Sequence, residues 1–349
     1  MEKKPLSFLK KMPIDQLDEG VDLQRKDGDP RKTAYIVSIL RQSPNIIKEW
    51  QKIGLMKPIL VANEKVEKDM VDGHSVKLRG TKEDLHYERR KHMAPEHMVT
   101  VTLGVIALGD LLVGKGIIEN GDQGILAEAA LSHDLNKQNE YWYAKLAQEC
   151  SSLNEMKEKV EGQGLSISDD QLNKIWSKET KGERGLAAYD VAGDGVEDIL
   201  RKAGVSESAI IIQNMVAHHS CPDIEILLEQ DSFSRLDILK LVMHYLDDIV
   251  VNPNQIDPTI TTSDRMRKNV LSRRMDQNRN NPGYFDYNEA WRKYSDRNET
   301  AFDMQERVGK MVEQKLAELL NIDDPLTLPS LINQRIERNI LDFTSKKNR

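Results

Sequence analysis

Four side chains, far apart in the chain, are of the types that bind a divalent cation: His97, the adjacent pair His133-Asp134, and Asp247. Imidazole nitrogen and carboxylate oxygen suit Zn, Fe, Mn and related ions. An ion held by such a set acts as a Lewis acid and acidifies bound water, the chemistry of metal-assisted hydrolysis. Cys150 and Cys221 do not form a Cys-x-x-Cys pair, so a thiolate zinc site has no support and a reducing compartment is the simpler reading.

The elements expected to position these groups are helices. Pro95 suits a first helical turn, and the run to Leu112 is apolar nearly all round, as a buried helix requires. A second helix is expected over Asp122–Ser132. Successive helical residues diverge by about 100°, so His133 and Asp134 can converge on one ion best where that helix stops. Ser206 can cap a helix carrying Ile210, Ile211, Met215 and Val216, which must end before Pro222. A strong helix is expected over Ser234–Val250. On it Asp247 lies near the apolar side, where a carboxylate without a cation is costly; Asp248 is the runner-up for the same role.

Glu96-His97-Met98-Val99, Leu131-Ser132-His133-Asp134-Leu135-Asn136-Lys137, Val216-Ala217-His218-His219 and Tyr245-Leu246-Asp247-Asp248 resemble the successive motifs of the HD superfamily. The resemblance implies a helical bundle in which His97, His133, Asp134 and Asp247 bind a divalent metal ion (Mn, Mg, Zn, Fe or similar). It implies hydrolysis of a phosphoester or phosphoanhydride bond, in a nucleotide or related phosphorylated small molecule. Asp134, Lys137, His218 and His219 are then the candidate catalytic groups. Two-metal members carry a further histidine between the His-Asp pair and the His-His segment. Here residues 135–217 contain none, and Glu183 is the nearest substitute. Two other readings stay open: a di-iron oxygenase of the same superfamily, and a non-catalytic metal-binding regulatory module.

Taken singly, each residue has a plainer reading. His97 could bond a carbonyl within a buried helix, and Asp134 could end a helix. His218 and His219 could answer a helix C-terminus through the macrodipole, and His244 could pair with Asp248 at i,i+4. Only the joint occurrence favours a site. The basic group Arg265, Arg267, Lys268, Arg273 and Arg274 reads first as a solvated helix face and second as a phosphate contact.

The 349 residues carry a net charge of −7, with 39% hydrophobic, 31% charged and only 5% aromatic residues. Such a chain has no global attraction to a nucleic-acid backbone or an anionic membrane, so nucleic acid is disfavoured as a partner and no membrane partner is expected. The most apolar run, Val99–Gly114, is interrupted by Asp110 and falls short of a spanning helix. A cytoplasmic protein is expected, with a homo-oligomer left open. The expected fold class is all-α: an HD-type helical bundle over 91–254 with 139–182 as an insertion. An N-terminal arm and small mixed region, 1–90, would precede it, with a short β-hairpin compatible with 58–75. A helical extension, 255–349, would follow, ending in a disordered basic tail from Thr344.

Overall fold

The computed structural model describes residues 30–52, 82–135, 143, 146–162, 167–216, 220–250, 292 and 297–347. Every regular element among them is helical, and no strand occurs there, so the fold is all-α. The hairpin considered for 58–75 lies outside the described residues.

Pro44 breaks the first helical segment in two, because its nitrogen carries no hydrogen for the ladder. The products are α1 (Pro30–Gln42) and α2 (Pro44–Lys52), whose Ile46, Ile47 and Trp50 are buried. The next helix, α3, spans Lys82–Gly114 and so begins well before the expected start at Pro95. Pro95 lies inside it, at the expense of one backbone hydrogen bond. The stretch before Pro95 is mostly polar, which is why apolar periodicity did not register it. α3 therefore also crosses the expected domain boundary at 90/91.

α4 covers Asp122–Ser132, as expected. Then come α5 (Leu153–Gly162), α6 (Asp169–Trp176), α7 (Lys181–Ala203) and α8 (Glu207–Gln213). α8 is capped by Ser206, whose hydroxyl accepts from the Ala209 N–H. Pro222 belongs to the first turn of the next helix, α9 (Cys221–Leu228). α10 (Arg235–Ile249) starts with a capping box between Ser234 and Asp237. α11 (Ala301–Leu320) and α12 (Leu328–Lys347) complete the described chain. α12 runs through Thr344 to Lys347, where a disordered tail was expected. Phe343 packs on Tyr35 with ring centroids 5.6 Å apart, and the Thr344 hydroxyl donates to the Ile340 carbonyl, so this turn has partners.

α3 is the central element. It packs against α4, α10, α11 and α12, while α4 also meets α2, α8 and α10. One continuous apolar core joins residues from α1 to α4 with α8 to α12. Asp110, which interrupts the apolar face of α3, accepts hydrogen bonds from Gln123, Arg335 and Asn339, so its charge is compensated at the junction with α4 and α12. Over His97–Gly114, α3 is long and apolar enough to cross a membrane by length and composition. The same window is mostly buried against its neighbours, as in the core helix of a folded domain.

Residues 143–191 build a second, smaller core from Leu146, Met156, Val160, Leu172, Ile175 and their neighbours. The first half of α7 (Ala187, Ala188, Val191) belongs to this core, and its second half (Val196, Leu200) to the main one.

Candidate metal centre

α4 ends at Ser132, and His133, Asp134 and Leu135 form the turn that follows. A helix C-terminus leaves its last carbonyls without intrahelical partners. Here each finds one. The Ala129 carbonyl accepts from the His133 backbone N–H, and the Ser132 carbonyl from the Leu135 N–H. The Ala130 carbonyl lies 2.8 Å from His133 Nδ1. The Leu131 carbonyl accepts from the indole Nε1–H of Trp50 on α2, at 2.8 Å. The helix end that presents the His-Asp pair is thus closed by the pair itself and by a buried tryptophan from the N-terminal region.

These contacts settle the histidine. With Nδ1 donating to Ala130, Nε2 carries the lone pair and faces away from α4. The His133 side chain has no exposed surface, and Nε2 makes no hydrogen bond of acceptable geometry. Around it stand Asp247 Oδ1 at 3.3 Å and Asp134 Oδ2 at 3.9 Å. His97, on α3, brings its Nε2 to 2.9 Å from the same Asp247 oxygen. His97, His133 and Asp134 each offer a ligand atom within 4.8 Å of the others. The two imidazole rings lie 5.2 Å apart at 65°, so they meet edge to face.

The two contacts of Asp247 Oδ1, 2.9 and 3.3 Å, have the spacing of neighbouring ligands in a coordination shell, while the 3.9 Å from His133 Nε2 to Asp134 Oδ2 is wider. With metal–ligand bonds of about 2.1 Å, neighbouring ligand atoms stand about 3.0 Å apart in an octahedron and about 3.4 Å apart in a tetrahedron. Charge points the same way. Two carboxylates gathered in a mostly buried site with neutral imidazoles need a compensating cation. Without one, protons take its place. Burial pushes the His133 imidazole down, but the Asp134 carboxylate, then Asp247 and the Ala130 carbonyl, outweigh it and its pKa is raised. Burial pushes the Asp247 carboxyl up, yet the neighbouring His133 and His97 imidazoles hold it well below the usual carboxylate range. The residues present fit a divalent ion bound through two nitrogens and up to two carboxylates.

The centre is sealed on the His133 side and open on the other, where the His97 and Asp247 side chains are 19% and 14% exposed. Three helices supply it: α3, the end of α4, and the last turns of α10.

His97, His133, Asp134 and Asp247 come together. Asp248, the alternative to Asp247, points elsewhere: its Oδ1 accepts from Gln305 Nε2 of α11 at 2.6 Å. His244 Nε2 lies 3.3 Å from Asp248 Oδ2, the expected i,i+4 pair. Glu183, the candidate for the missing middle ligand, is not among the groups gathered at His97, His133 and Asp134; its Oε2 closes the capping box of α7 with Thr180. Lys137, His218, His219 and the basic group 265–274 lie outside the described residues. Trp50 was missed by sequence reasoning: nothing local distinguishes it from any core aromatic.

Comparison of the chain with protein-family models, curated proteins and solved structures gives no match.

Proposed function

We propose that this chain is a metal-dependent phosphohydrolase of the HD type, with His97, His133, Asp134 and Asp247 as the ligands of a divalent ion. The observation that carries the reading is the convergence of His97, His133 and Asp134 ligand atoms within 4.8 Å of one another, with the buried His133 Nε2 3.3 Å from Asp247 Oδ1 and 3.9 Å from Asp134 Oδ2. When bound, the ion would polarise a phosphoryl oxygen and acidify a water, supplying the nucleophile for attack on phosphorus.

The chain's own groups do the rest. His133 and Asp134 fix the inner wall of the site, on a helix end that cannot shift without breaking its closing hydrogen bonds. The open side, between His97 and Asp247, is where a phosphate would enter. Lys137 follows the His-Asp turn closely enough in the chain to neutralise that phosphate, a task the net charge of −7 leaves to local cations. His218 or His219 would pass a proton to the leaving oxygen. The chemistry suits a nucleotide or another small phosphoester. The engagement of Glu183 as a helix cap favours one ion over two, and so weighs against di-iron chemistry.

Elemental analysis of the purified wild type and of His133→Ala/Asp134→Ala tests this. Nucleotides and phosphodiesters are then screened with added Mn, Mg, Zn or Fe. The wild type is expected to retain about one equivalent of metal and to hydrolyse at least one phosphoester, with both properties lost in the double variant. Equal metal content and equal activity in the two proteins would overturn the proposal.

A further inference from the structure

Asp248 sits next to the proposed ligand Asp247 and is 3% exposed. Its Oδ1 accepts from Gln305 Nε2 at 2.6 Å, and its Oδ2 lies 3.3 Å from His244 Nε2. His244 Nδ1 is in turn 3.2 Å from the hydroxyl of Ser220, at the start of α9. The order Ser220, His244, Asp248 has the outline of a nucleophile triad. All three are buried, however, and the Ser220 hydroxyl also reaches the Val216 carbonyl at 3.1 Å, so no substrate atom has a route to it. What the chain of contacts does is tie α9, α10 and α11 together at the level of the candidate metal centre.

We infer that Asp248 and Gln305 are positioning residues for the metal centre: by anchoring the last turn of α10 to α11, they set the rotation that turns Asp247 toward His97 and His133. This rests on the proposed metal site. The physical basis is helical geometry. Adjacent side chains diverge by about 100°, so fixing one direction fixes the other. Asp247 is two residues before the end of α10, where a helix frays most readily and where an external anchor has most effect. The anchor comes from α11, beyond the segment that carries the four ligands, which makes the C-terminal region an integral part of the centre. The Ser220 contact extends the same anchor to the start of α9, directly after His218-His219 in the chain.

Titration with Co2+, read both as affinity and through its visible d–d bands, tests the inference on the full chain. Gln305→Leu and Asp248→Ala are expected to weaken Co2+ binding about tenfold or more and to alter the band shape. Asp248→Asn keeps an acceptor for Gln305 and is expected to restore most of the affinity. Tyr245→Phe removes another buried contact between α10 and α11, the hydroxyl's donation to Glu313, and is expected to leave binding unchanged. Should Asp248→Ala fail to fold, Gln305→Leu decides. Wild-type affinity and bands in Gln305→Leu would overturn the inference, as would equal weakening in Tyr245→Phe, which would mean general loosening of the helix pair. A wild type that takes up no Co2+ would overturn the metal centre itself and this inference with it.

Discussion

His133 carries more of the site than any other residue because both of its ring nitrogens have assigned tasks. Nδ1 closes the end of α4 on Ala130, and Nε2 is left for the ion. That division depends on the helix end staying intact, and Trp50 is the neighbour that guards it. Trp50→Phe keeps an aromatic ring but removes the donor to the Leu131 carbonyl, a bond spanning 81 residues of chain. The expected loss is about 1–3 kcal/mol of stability from the unsatisfied buried carbonyl, together with weaker metal binding. Thermal unfolding and metal titration of the same variant check both. A lowered melting temperature with full metal affinity would show that the indole bond stabilises the core without holding the His-Asp turn. The four ligand candidates were legible in the sequence because histidine and aspartate on apolar helices are costly, and so stand out. Trp50 was not legible, because its partner is a backbone carbonyl that only the fold brings near.

Helices were legible where an apolar stripe ran the length of the element, as in α10, or where it was apolar nearly all round, as in α4. They were misjudged where the sequence is polar: the first third of α3 and the last turn of α12 carry little stripe. Joints between helices were invisible, since they depend on pairs distant in sequence. The clearest is Arg307 on α11, whose guanidinium bonds both carboxylate oxygens of Glu225 on α9 and also Glu299. The Arg307 hydrogen bond holds the Glu225 carboxyl below its usual range, against the opposing effect of burial. A depressed carboxylate contributes stability that is fully present above its unfolded pKa and is lost as pH falls through the folded value. Arg307→Met leaves two half-buried carboxylates side by side, so it should destabilise by about 1–3 kcal/mol at pH 7. The gap to wild type should shrink below about pH 4, as Glu225 protonates. Urea midpoints at pH 7 and pH 3 measure it. A gap that stays constant or widens in acid would mean that the joint is held by apolar packing rather than by charge.

At the scale of the molecule, the described residues form two cores of unequal size sharing one helix. The insertion expected at 139–182 was read from polarity and length alone; its separate core, reaching to Val191, could not be, because its members are spread over four segments. α7 crosses from the small core to the large one, and the crossing falls at Gly193-Asp194-Gly195, between Val191 and Val196. Glycine inside a helix costs about 1 kcal/mol relative to alanine, so two of them make this the weakest stretch of α7 by intrinsic propensity. The small core has less apolar surface to stabilise it, and the helix that would couple it to the main core is weakest at the join. Opening of the small core should therefore require less free energy than global unfolding. Native-state hydrogen exchange at increasing sub-denaturing urea resolves the two. Amides of α5 and α6 are expected to exchange through an opening of lower free energy and smaller urea dependence than those of α3, α4 and α10. Gly193→Ala/Gly195→Ala should raise the free energy of that opening toward the global value while leaving exchange in α3 unchanged. If α5 and α3 instead exchange with the same free energy and the same urea slope in the wild type, the two cores unfold as one cooperative unit and α7 transmits stability across its glycines undiminished.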